Sequence, residues 1–324
     1  MQYNLRVKIF IFTIIRHTRR QIMKKITSII IAIIMMLSCI AVLASCGDKN
    51  TQKVKVIDIK LTDEEYAFAV QKGDAELLKQ LNDFMAEIQS NGKFNEILNK
   101  YFQGGTPTAV KSAKEMKTDG SQLIVATNAA FEPFEYMVGE NYYGVDMEIM
   151  ALFAEKLGKE LFIYNMEFDA VCLSVSAAGG TYTDSDGNEV TQAGGVCDIA
   201  AAGLTVSDER KQILDFSTSY YQASQMLIVP EDCKDFDECK TAADVEAKLK
   251  ELGKDTKVGV QKGTTGQLYC EGDADWGFDG FGFTTVSYTN GALAVQDILN
   301  GNCKYVVIDE GPAKAITEKI NAAN

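Results

Sequence analysis

The chain has 324 residues, of which 46% are hydrophobic, so it is long enough to bury the cores of one large or two medium-sized domains. It carries 32 Lys and Arg against 45 Asp and Glu, which gives a formal net charge of −13. Because phosphate groups are bound by clustered cations, this acidic balance argues against nucleic acid or an anionic membrane surface as a partner.

The amino terminus has the layout of a secretory signal peptide that starts at Met23. Two lysines precede an uncharged, mostly apolar run over residues 26–42, and small residues follow. The run is just long enough to span a membrane, which is the alternative. However, the tetrapeptide "LASC" that ends at Cys46 resembles the bacterial lipoprotein signal, in which the cysteine is cleaved free and diacylated. We therefore predict a signal peptide over 1–45, lipidation of Cys46 and a polar tether over 46–52.

The remaining cysteines and the single histidine limit the chemistry of the exported chain. Six cysteines follow the predicted lipidation site: Cys172, Cys197, Cys233, Cys239, Cys270 and Cys303. An even set in an exported chain is compatible with disulfides, and several pairings are open. No Cys-x-x-Cys pair occurs and the only histidine, His17, lies in the predicted signal peptide, so we expect no metal site and no catalytic dyad or triad that uses histidine.

Residues 53–102 predict two strands, "VKVIDI" and "YAFAV", followed by two helices. Asp74 is placed to cap the first helix, which ends before Gly92. The apolar residues of the two helices fall on one face of each: Leu77, Leu81, Met85 and Ile88, then Ile97, Leu98 and Tyr101. Residues 103–122 are polar and lack periodicity, which predicts a flexible linker.

From residue 123 onward, strands and helices alternate in two sets. The strands of the first set are "LIVAT", "LFIYN" and "CDIAAAG", with one helix capped by Asp146 and ended by Gly158 and another that starts near Asp169. The second set has the strands "QMLIV", "KVGVQ" and "YVVID", with helices at 241–252, after Gly263 and at 291–300. This alternation predicts two α/β lobes with largely parallel sheets.

A β-hairpin is predicted over residues 180–195, where two short alternating segments surround Asp186 and Gly187. Calcium binding by Asp184, Asp186 and Asn188 is the alternative. The glycine falls too early for an EF-hand loop, which favours a plain turn.

Arg210 is the first candidate for ligand chemistry. It follows a buried strand that ends in Gly203, Leu204 and Thr205. Ligands collect at the carboxyl ends of strands in open α/β sheets, and an arginine there can bind a carboxylate with two parallel hydrogen bonds. The alternative is a surface arginine paired with a neighbouring acid, Asp208 or Glu209.

Two further positions could bind the charged ends of a small molecule. Thr264 and Thr265 open a helix after a strand, where free amide groups favour an anion, although Thr264 could simply cap the helix. Asp309 ends an apolar strand and suits an ammonium group, although it could cap the next helix. Phe131 and Phe134 lie in the loop after the first strand, where single aromatic residues usually belong to the core.

Five segments together resemble a known family: "ATNAAFEPFEY", "GVDMEIM", "AAGLTVSDERKQILDFSTSYY", "VGVQKGTTG" and "VVIDEGPA". In this order they are similar to the extracellular solute-binding proteins of polar amino-acid ABC importers. The resemblance covers nearly all of residues 123–320. It implies the type II periplasmic binding fold, which is an α/β fold of two lobes, each a sheet flanked by helices, joined by two hinge strands near 61–66 and 222–226.

The order of the segments departs from that family. Residues 53–102 look like its carboxyl-terminal part, so we infer a circular permutation; the rival explanation is a truncated second copy ahead of an incomplete domain. In chain order, the resemblance implies a small-lobe strand and hinge at 53–65, large-lobe elements at 66–102, the linker at 103–122, the rest of the large lobe at 123–223 and the rest of the small lobe at 224–324.

The resemblance also implies a site. Arg210 would bind the α-carboxylate of an amino acid with help from Thr205 and the start of the helix at Thr264 and Thr265, and Asp309 and the carbonyl of Gly203 would receive the α-ammonium. The ligand side chain would be flanked by Phe131 and Phe168, and its polar end would be read by Asn128 and Gln261. Asn128 replaces an aspartate that is common in cation-selective members, which favours a neutral polar amino acid.

The implied function is that of a lipid-anchored, monomeric receptor on the outer face of the bacterial cell membrane, which delivers an amino acid to an ABC permease. Neither a cofactor nor catalysis is expected. One alternative is a secreted dehydratase-like enzyme on the same fold, which would need Glu132 or Glu135 as its acid or base. Another is a ligand-sensing domain.

Within this fold we expect the disulfide pairs Cys172 with Cys197, Cys270 with Cys303, and Cys233 with Cys239. The first two pairs would each lie within one lobe and join a helix to a neighbouring strand. The third would close a small loop.

Overall fold

The computed structural model describes residues 53–323. The predicted signal peptide, Cys46 and the tether lie outside the described residues. None of the helices within 53–323 is long and apolar enough to cross a membrane.

The described chain contains eight helices and seventeen strands. The helices are α1 Ala75–Ser90, α2 Lys93–Phe102, α3 Val145–Leu157, α4 Phe168–Val175, α5 Ala242–Lys250, α6 Thr265–Glu271, α7 Gly291–Leu299 and α8 Glu310–Ala323. The strands are β1 Val54–Ile57, β2 Glu64–Tyr66, β3 Ala69–Gln71, β4 Gln122–Thr127, β5 Ala130–Phe131, β6 Glu135–Val138, β7 Asn141–Tyr143, β8 Glu160–Asn165, β9 Gly180–Thr183, β10 Glu189–Gln192, β11 Ile199–Ala200, β12 Leu214–Phe216, β13 Tyr221–Ala223, β14 Gln225–Pro230, β15 Lys257–Gln261, β16 Thr284–Tyr288 and β17 Tyr305–Asp309.

The large lobe is built on a five-stranded sheet of order β12-β3-β11-β4-β8. Strand β4 is buried along its whole length and runs parallel to both of its neighbours, β8 and β11, as expected for an apolar strand covered on both faces. Strand β3 lies between β11 and β12 and is antiparallel to both. The early segment of the chain, residues 53–102, therefore supplies an interior strand of this sheet.

The small lobe is built on a second five-stranded sheet, of order β1-β14-β17-β15-β16. Strand β15 is parallel to β16 and β17, whereas β14 is antiparallel to β17 and β1. At the end of α8, the side chain of Asn321 accepts a hydrogen bond from the Val54 amide at 3.0 Å and donates one to the Val54 carbonyl at 2.8 Å. The two ends of the described chain thus adjoin at the edge of the small lobe.

Two strands connect the lobes side by side. Strand β2 pairs with β13 in antiparallel register, with Tyr66 opposite Tyr221 and Glu64 opposite Ala223. Strand β13 continues through Ser224 into β14 of the small lobe, while β2 leads through Ala67 and Phe68 into β3 of the large lobe. The predicted α/β fold of two lobes joined by two hinge strands is confirmed, although the predicted strand "YAFAV" divides between the hinge and the large sheet.

Several local predictions about helix ends are also tested. Asp74 caps α1, because its carboxylate accepts the Leu77 amide at 3.0 Å, and Gly158 ends α3 in the left-handed conformation. The predicted cap at Asp146 is wrong: α3 begins after Gly144, and the Asp146 carboxylate accepts hydrogen bonds from the Gly203 amide and the Tyr220 hydroxyl. The aspartate therefore ties the helix to distant parts of the large lobe.

The predicted hairpin is present as β9 and β10, which pair in antiparallel register. The Asp184 carboxylate accepts the amides of Asp186 and Asn188 within its own turn. This arrangement fits the plain turn.

Residues 103–121 follow the surface of the large lobe and are tied to it at several points. Val110 is buried and exchanges two backbone hydrogen bonds with Tyr142. The amide of Ala113 donates to the carbonyl of Leu161 at 2.8 Å. We expected a flexible linker here. The segment instead forms backbone hydrogen bonds with strands β7 and β8.

The six cysteines of the described chain are free thiols, so none of the three predicted disulfides is formed. Cys172 and Cys197 belong to one apolar cluster of the large lobe, and Cys270 is buried in the core of the small lobe. Cys303 lies 3.1 Å from the Tyr288 hydroxyl and Cys233 lies 3.9 Å from the Tyr305 hydroxyl. The thiols of Cys172, Cys197 and Cys270 pack as small apolar side chains in these clusters.

Candidate functional site

The structure brings the predicted site residues together where the two lobes meet. The large lobe contributes Asn128, Phe131, Phe168, Gly203, Thr205 and Arg210, and the small lobe contributes Gln261, Thr264, Thr265 and Asp309. Gln261 Nε2 donates to Asn128 Oδ1 at 3.2 Å, and Thr265 Oγ1 donates to Thr205 Oγ1 at 3.3 Å. The lobes are therefore in direct contact at the predicted site.

The Arg210 guanidinium is held by carbonyl groups and aromatic rings. Nη1 donates to the carbonyl of Thr205 at 2.7 Å, and Nη2 donates to the carbonyl of Gly263 at 3.4 Å across the lobe boundary. The rings of Phe168 and Trp276 lie 5.6 and 5.4 Å from the guanidinium carbon. These partners leave the positive charge unneutralised.

The surface ion pair that was the alternative for Arg210 is not formed. Asp208 pairs instead with Lys211 at 3.2 Å, and Glu209 accepts a hydrogen bond from Trp276 Nε1 at 3.2 Å. Arg210 has no carboxylate partner among the described residues. An anion at the lobe boundary could therefore accept hydrogen bonds from the N–H groups of Arg210 that have no partner.

The start of α6 packs tightly against the small-lobe sheet. The Thr264 hydroxyl donates to the carbonyl of Gln261 at 2.8 Å, so the alternative that this side chain caps the helix is wrong. A Cβ atom at Gly266 would lie 2.7 Å from Gln225 Oε1 and 3.2 Å from the Val307 carbonyl, which explains why a glycine stands there. This close approach fixes Thr265 opposite Thr205.

Asp309 ends β17 and is 4% exposed. Its carboxylate accepts a hydrogen bond from the Tyr66 hydroxyl at 2.5 Å. Burial, followed by the negative charge of Glu64, raises the pKa of Asp309 to about 7. Asp309 forms no ion pair with a Lys or Arg of the described chain.

Two buried acids lie close to the site: Glu64, which was not predicted from the sequence, and Glu135, which was named only as a candidate acid or base of the dehydratase alternative. Glu64 accepts hydrogen bonds from Thr62, Gln225 and Thr205. Glu135 is fully buried, and neither of its carboxylate oxygens has a hydrogen-bond partner. Burial and the charges of Asp146 and Asp309 raise the pKa of Glu135 well above its usual range. In β2, Glu64 and Tyr66 are buried and the residue between them is exposed, but the sequence "EEY" gives no local signal that distinguishes Glu64 from the exposed glutamate next to it.

The end of the site away from the charges is lined by amides and rings. Asn128 donates to the carbonyl of Met166 at 2.7 Å, and Gln261 Oε1 is buried without a hydrogen-bond partner. Phe131 lies against Gly203, where a Cβ atom would be 2.8 Å from the ring. Beside this end, Lys262 and Asp169 form an ion pair across the lobe boundary at 3.3 Å. The lining can match a polar group and exclude water around it.

A cavity of about 530 Å³ adjoins the site at the hinge. Its lining includes Glu64, Thr205, Lys211, Tyr269 and Trp276. Trp276 was missed by the sequence analysis, although a single tryptophan in a loop rich in Asp and Gly was a signal for it. The cavity is within the size range of sites for small molecules.

Comparison with known proteins finds a matching family and relatives that are named as binding proteins. The family model for bacterial extracellular solute-binding proteins, family 3, matches residues 5–104 and 182–303. The arginine-binding extracellular protein ArtP of Bacillus subtilis (strain 168) is 29% identical over 126 residues, which are 39% of this chain and 43% of ArtP. A probable histidine-binding protein of Neisseria gonorrhoeae is 29% identical over 150 residues, 46% of each chain.

A similar solved structure is the arginine-bound form of truncated ArgBP from T. maritima. It is 27% identical, with a TM-score of 0.46, over 61% of this chain and 78% of that chain. The chain spans less than half the length of the two curated relatives named above. The family match covers more than half of the chain, and the chain belongs to the bacterial extracellular solute-binding proteins of family 3.

Proposed function

We propose that this protein captures one free amino acid between its two lobes and delivers it to an ABC importer. The observation that carries the proposal is a pair of unmatched charges. Arg210 of the large lobe and Asp309 of the small lobe both face the lobe boundary, and neither has a counter-ion among the described residues. The carboxylate and ammonium of one zwitterion would supply both counter-ions.

The roles of the site residues follow from this arrangement. Arg210 and Thr205, with the start of α6 at Thr265, would bind the carboxylate. Asp309, with the carbonyl of Gly203, would bind the ammonium. Because the contacts come from both lobes, the amino acid binds the closed form better than the open form and shifts the hinge equilibrium by that difference.

The side chain of the bound amino acid would lie between Phe131 and Phe168 and reach Asn128 and Gln261. The unpartnered Gln261 Oε1 favours a ligand that donates a hydrogen bond there, such as a neutral amide. The relatives named for arginine and histidine make a cationic amino acid the second candidate.

A thermal-shift screen against the twenty amino acids tests the function. At a ligand concentration of about 100 Kd, binding stabilises the folded protein by about 2.7 kcal/mol and should raise Tm by roughly 5 °C. A neutral polar amino acid should give the largest shift. A screen in which no amino acid raises Tm, or in which the best one also stabilises Arg210→Ala and Asp309→Ala equally well, would contradict the proposal.

The dehydratase alternative is weakened by the state of its two candidate acids. Glu132 is ion-paired with Lys319 across the lobe boundary. Glu135 is fully buried beneath the site. Glu135 is closed to a bound molecule, and the Glu132 carboxylate is paired with Lys319 in a cavity lined by none of the predicted site residues, which supports binding without catalysis.

The location follows from the family and from the amino terminus. Membership of an extracellular solute-binding family supports a position outside the cytoplasm. We infer that lipidation of Cys46 holds the protein at the outer face of the membrane, near its permease.

We also infer that the chain is a circular permutant of the family arrangement. Strands β1 and β3 come from the early segment and complete one sheet each, and Asn321 binds Val54 where a continuous chain would connect α8 to β1. The rival explanation, a truncated second copy, requires residues 53–102 to be dispensable.

Deleting residues 53–102 is therefore expected to prevent folding of the large lobe, because β3 is an interior strand of its sheet. In contrast, a chain that joins residue 323 to residue 53 by a short loop and opens within 103–121 should fold and bind an amino acid with a Kd within about threefold of the original. Circular dichroism and calorimetry measure both. A folded deletion variant that still binds would support the rival explanation.

A further inference from the structure

We propose that Trp276 is a positioning residue for Arg210 and slows ligand release by holding the lobes together. The inference rests on the proposed function, since Arg210 is there the carboxylate-binding group. Trp276 belongs to the small lobe, whereas Arg210, Phe168 and Glu209 belong to the large lobe. One side chain therefore makes two kinds of contact across the boundary.

The first contact is between the indole ring and the guanidinium. The ring centre lies 5.4 Å from Arg210 Cζ, within the range of a cation–π interaction, and the Phe168 ring lies 5.6 Å from the same atom. Aromatic faces restrict the guanidinium without neutralising it. The charge stays available for a carboxylate.

The second contact keeps a competing acid occupied. Glu209 precedes Arg210 in the chain, and its carboxylate accepts a hydrogen bond from Trp276 Nε1 at 3.2 Å. A carboxylate paired with Arg210 would compete with the carboxylate of the ligand. In the closed form the indole N–H group holds Glu209, and Arg210 remains without an ion pair in the described structure.

The loop presents Trp276 in a fixed turn. Asp273 and Phe278 exchange two backbone hydrogen bonds, of 2.9 and 2.8 Å, and the Asp273 carboxylate accepts the amides of Asp275 and Trp276. Gly277 has a φ of 72°, which a glycine adopts at little cost. The indole also stacks on Phe278 with ring centres 6.2 Å apart. The turn orders the indole through contacts within the small lobe, so little conformational entropy is lost on closure.

The test compares Trp276→Leu and Trp276→Phe with the unaltered protein. Each of the twenty L-amino acids is titrated by calorimetry, and the dissociation rate of the tightest-binding one is measured by chasing its radiolabelled form with unlabelled amino acid. Trp276→Leu should raise the dissociation rate about tenfold, as expected for loss of a cation–π contact, while the association rate changes less than about twofold. Trp276→Phe keeps an aromatic face and should recover part of the loss.

Glu209→Gln tests the role of the indole N–H group separately from that of the indole ring. This change removes the competing charge, so it should slow release in Trp276→Phe, where no N–H group holds Glu209, and should change release less in the unaltered protein. Equal dissociation rates for Trp276→Leu and the unaltered protein would overturn the inference while leaving the proposed function intact. An unaltered protein that binds none of the twenty amino acids would overturn both. The melting temperature of each ligand-free variant identifies misfolding, and Trp276→Phe then decides the result.

Discussion

Replacing Arg210 by alanine is expected to weaken amino-acid binding by about 100-fold or more. Truncating one partner of a largely buried, hydrogen-bonded charge pair costs about 2 to 5 kcal/mol, and 100-fold corresponds to about 2.7 kcal/mol. The guanidinium has no ion-pair partner within residues 53–323, so its charge is free for the ligand. Isothermal titration calorimetry measures the loss.

Two further variants sharpen this result. Arg210→Lys keeps the charge but not the two parallel donors, so a loss of about tenfold is expected. Lys156→Ala is the control, because it removes an exposed cation of the same lobe, whose side chain pairs with the exposed Glu87. Binding by Arg210→Ala within threefold of the unaltered protein would rule out the assigned role, as would an equal loss in Lys156→Ala.

Features that depend on neighbouring residues in the chain could be predicted from the sequence, whereas contacts between distant residues could not. The Asp74 cap, the Gly158 helix end and the hairpin at Asp184 depend on residues within a few positions of one another. Asp146 looked like a local cap, but its partners, Gly203 and Tyr220, are 57 and 74 residues away in the chain. No local pattern distinguishes these two uses of an aspartate near a helix start.

The candidate site divides in a similar way. Arg210 and Asp309 could be proposed as site residues from the sequence because Arg210 follows a buried strand and Asp309 ends one, and ligands collect at the carboxyl ends of strands in α/β sheets. Trp276 could not, because its role arises only when a small-lobe loop reaches Arg210 across the boundary. The burial of Glu135 was equally hidden, because a glutamate at the start of a short strand is ordinarily exposed.

The ligand-free lobes are expected to close as the pH falls from 8 to 5. In the closed form Glu135 of the large lobe and Asp309 of the small lobe are both buried, and no cation pairs with either among the described residues. Phe134, next to Glu135, packs against Tyr66, whose hydroxyl binds Asp309. Closing therefore brings together two acids that need a proton or the ammonium of a ligand as counter-charge.

The direction of the pH effect follows from the pKa of Asp309. Burial raises this pKa to about 7, so the closed form binds a proton more tightly than an open form with the usual pKa of about 4. The cost of closing is present above pH 7 and is lost as the pH falls below it. Between pH 8 and pH 5 the ratio of closed to open protein should rise by up to about 100-fold. Because protons then take the place of the ammonium, ligand affinity should fall over the same range.

Glu135→Gln removes one of the two acids with little change in shape. This variant should be more closed than the unaltered protein at pH 8 without ligand, and its closure should depend less on pH. Small-angle X-ray scattering gives the radius of gyration, and the fluorescence of Trp276, the single tryptophan, reports the lobe contact. Glu140→Gln, at an exposed position of the same β-hairpin, is the matched control and should behave like the unaltered protein. An unneutralised pair of buried carboxylates must make the stability of the closed form depend on pH. If the radius of gyration of the ligand-free protein is the same at pH 5 and pH 8, and is unchanged in Glu135→Gln, the two acids do not oppose closure.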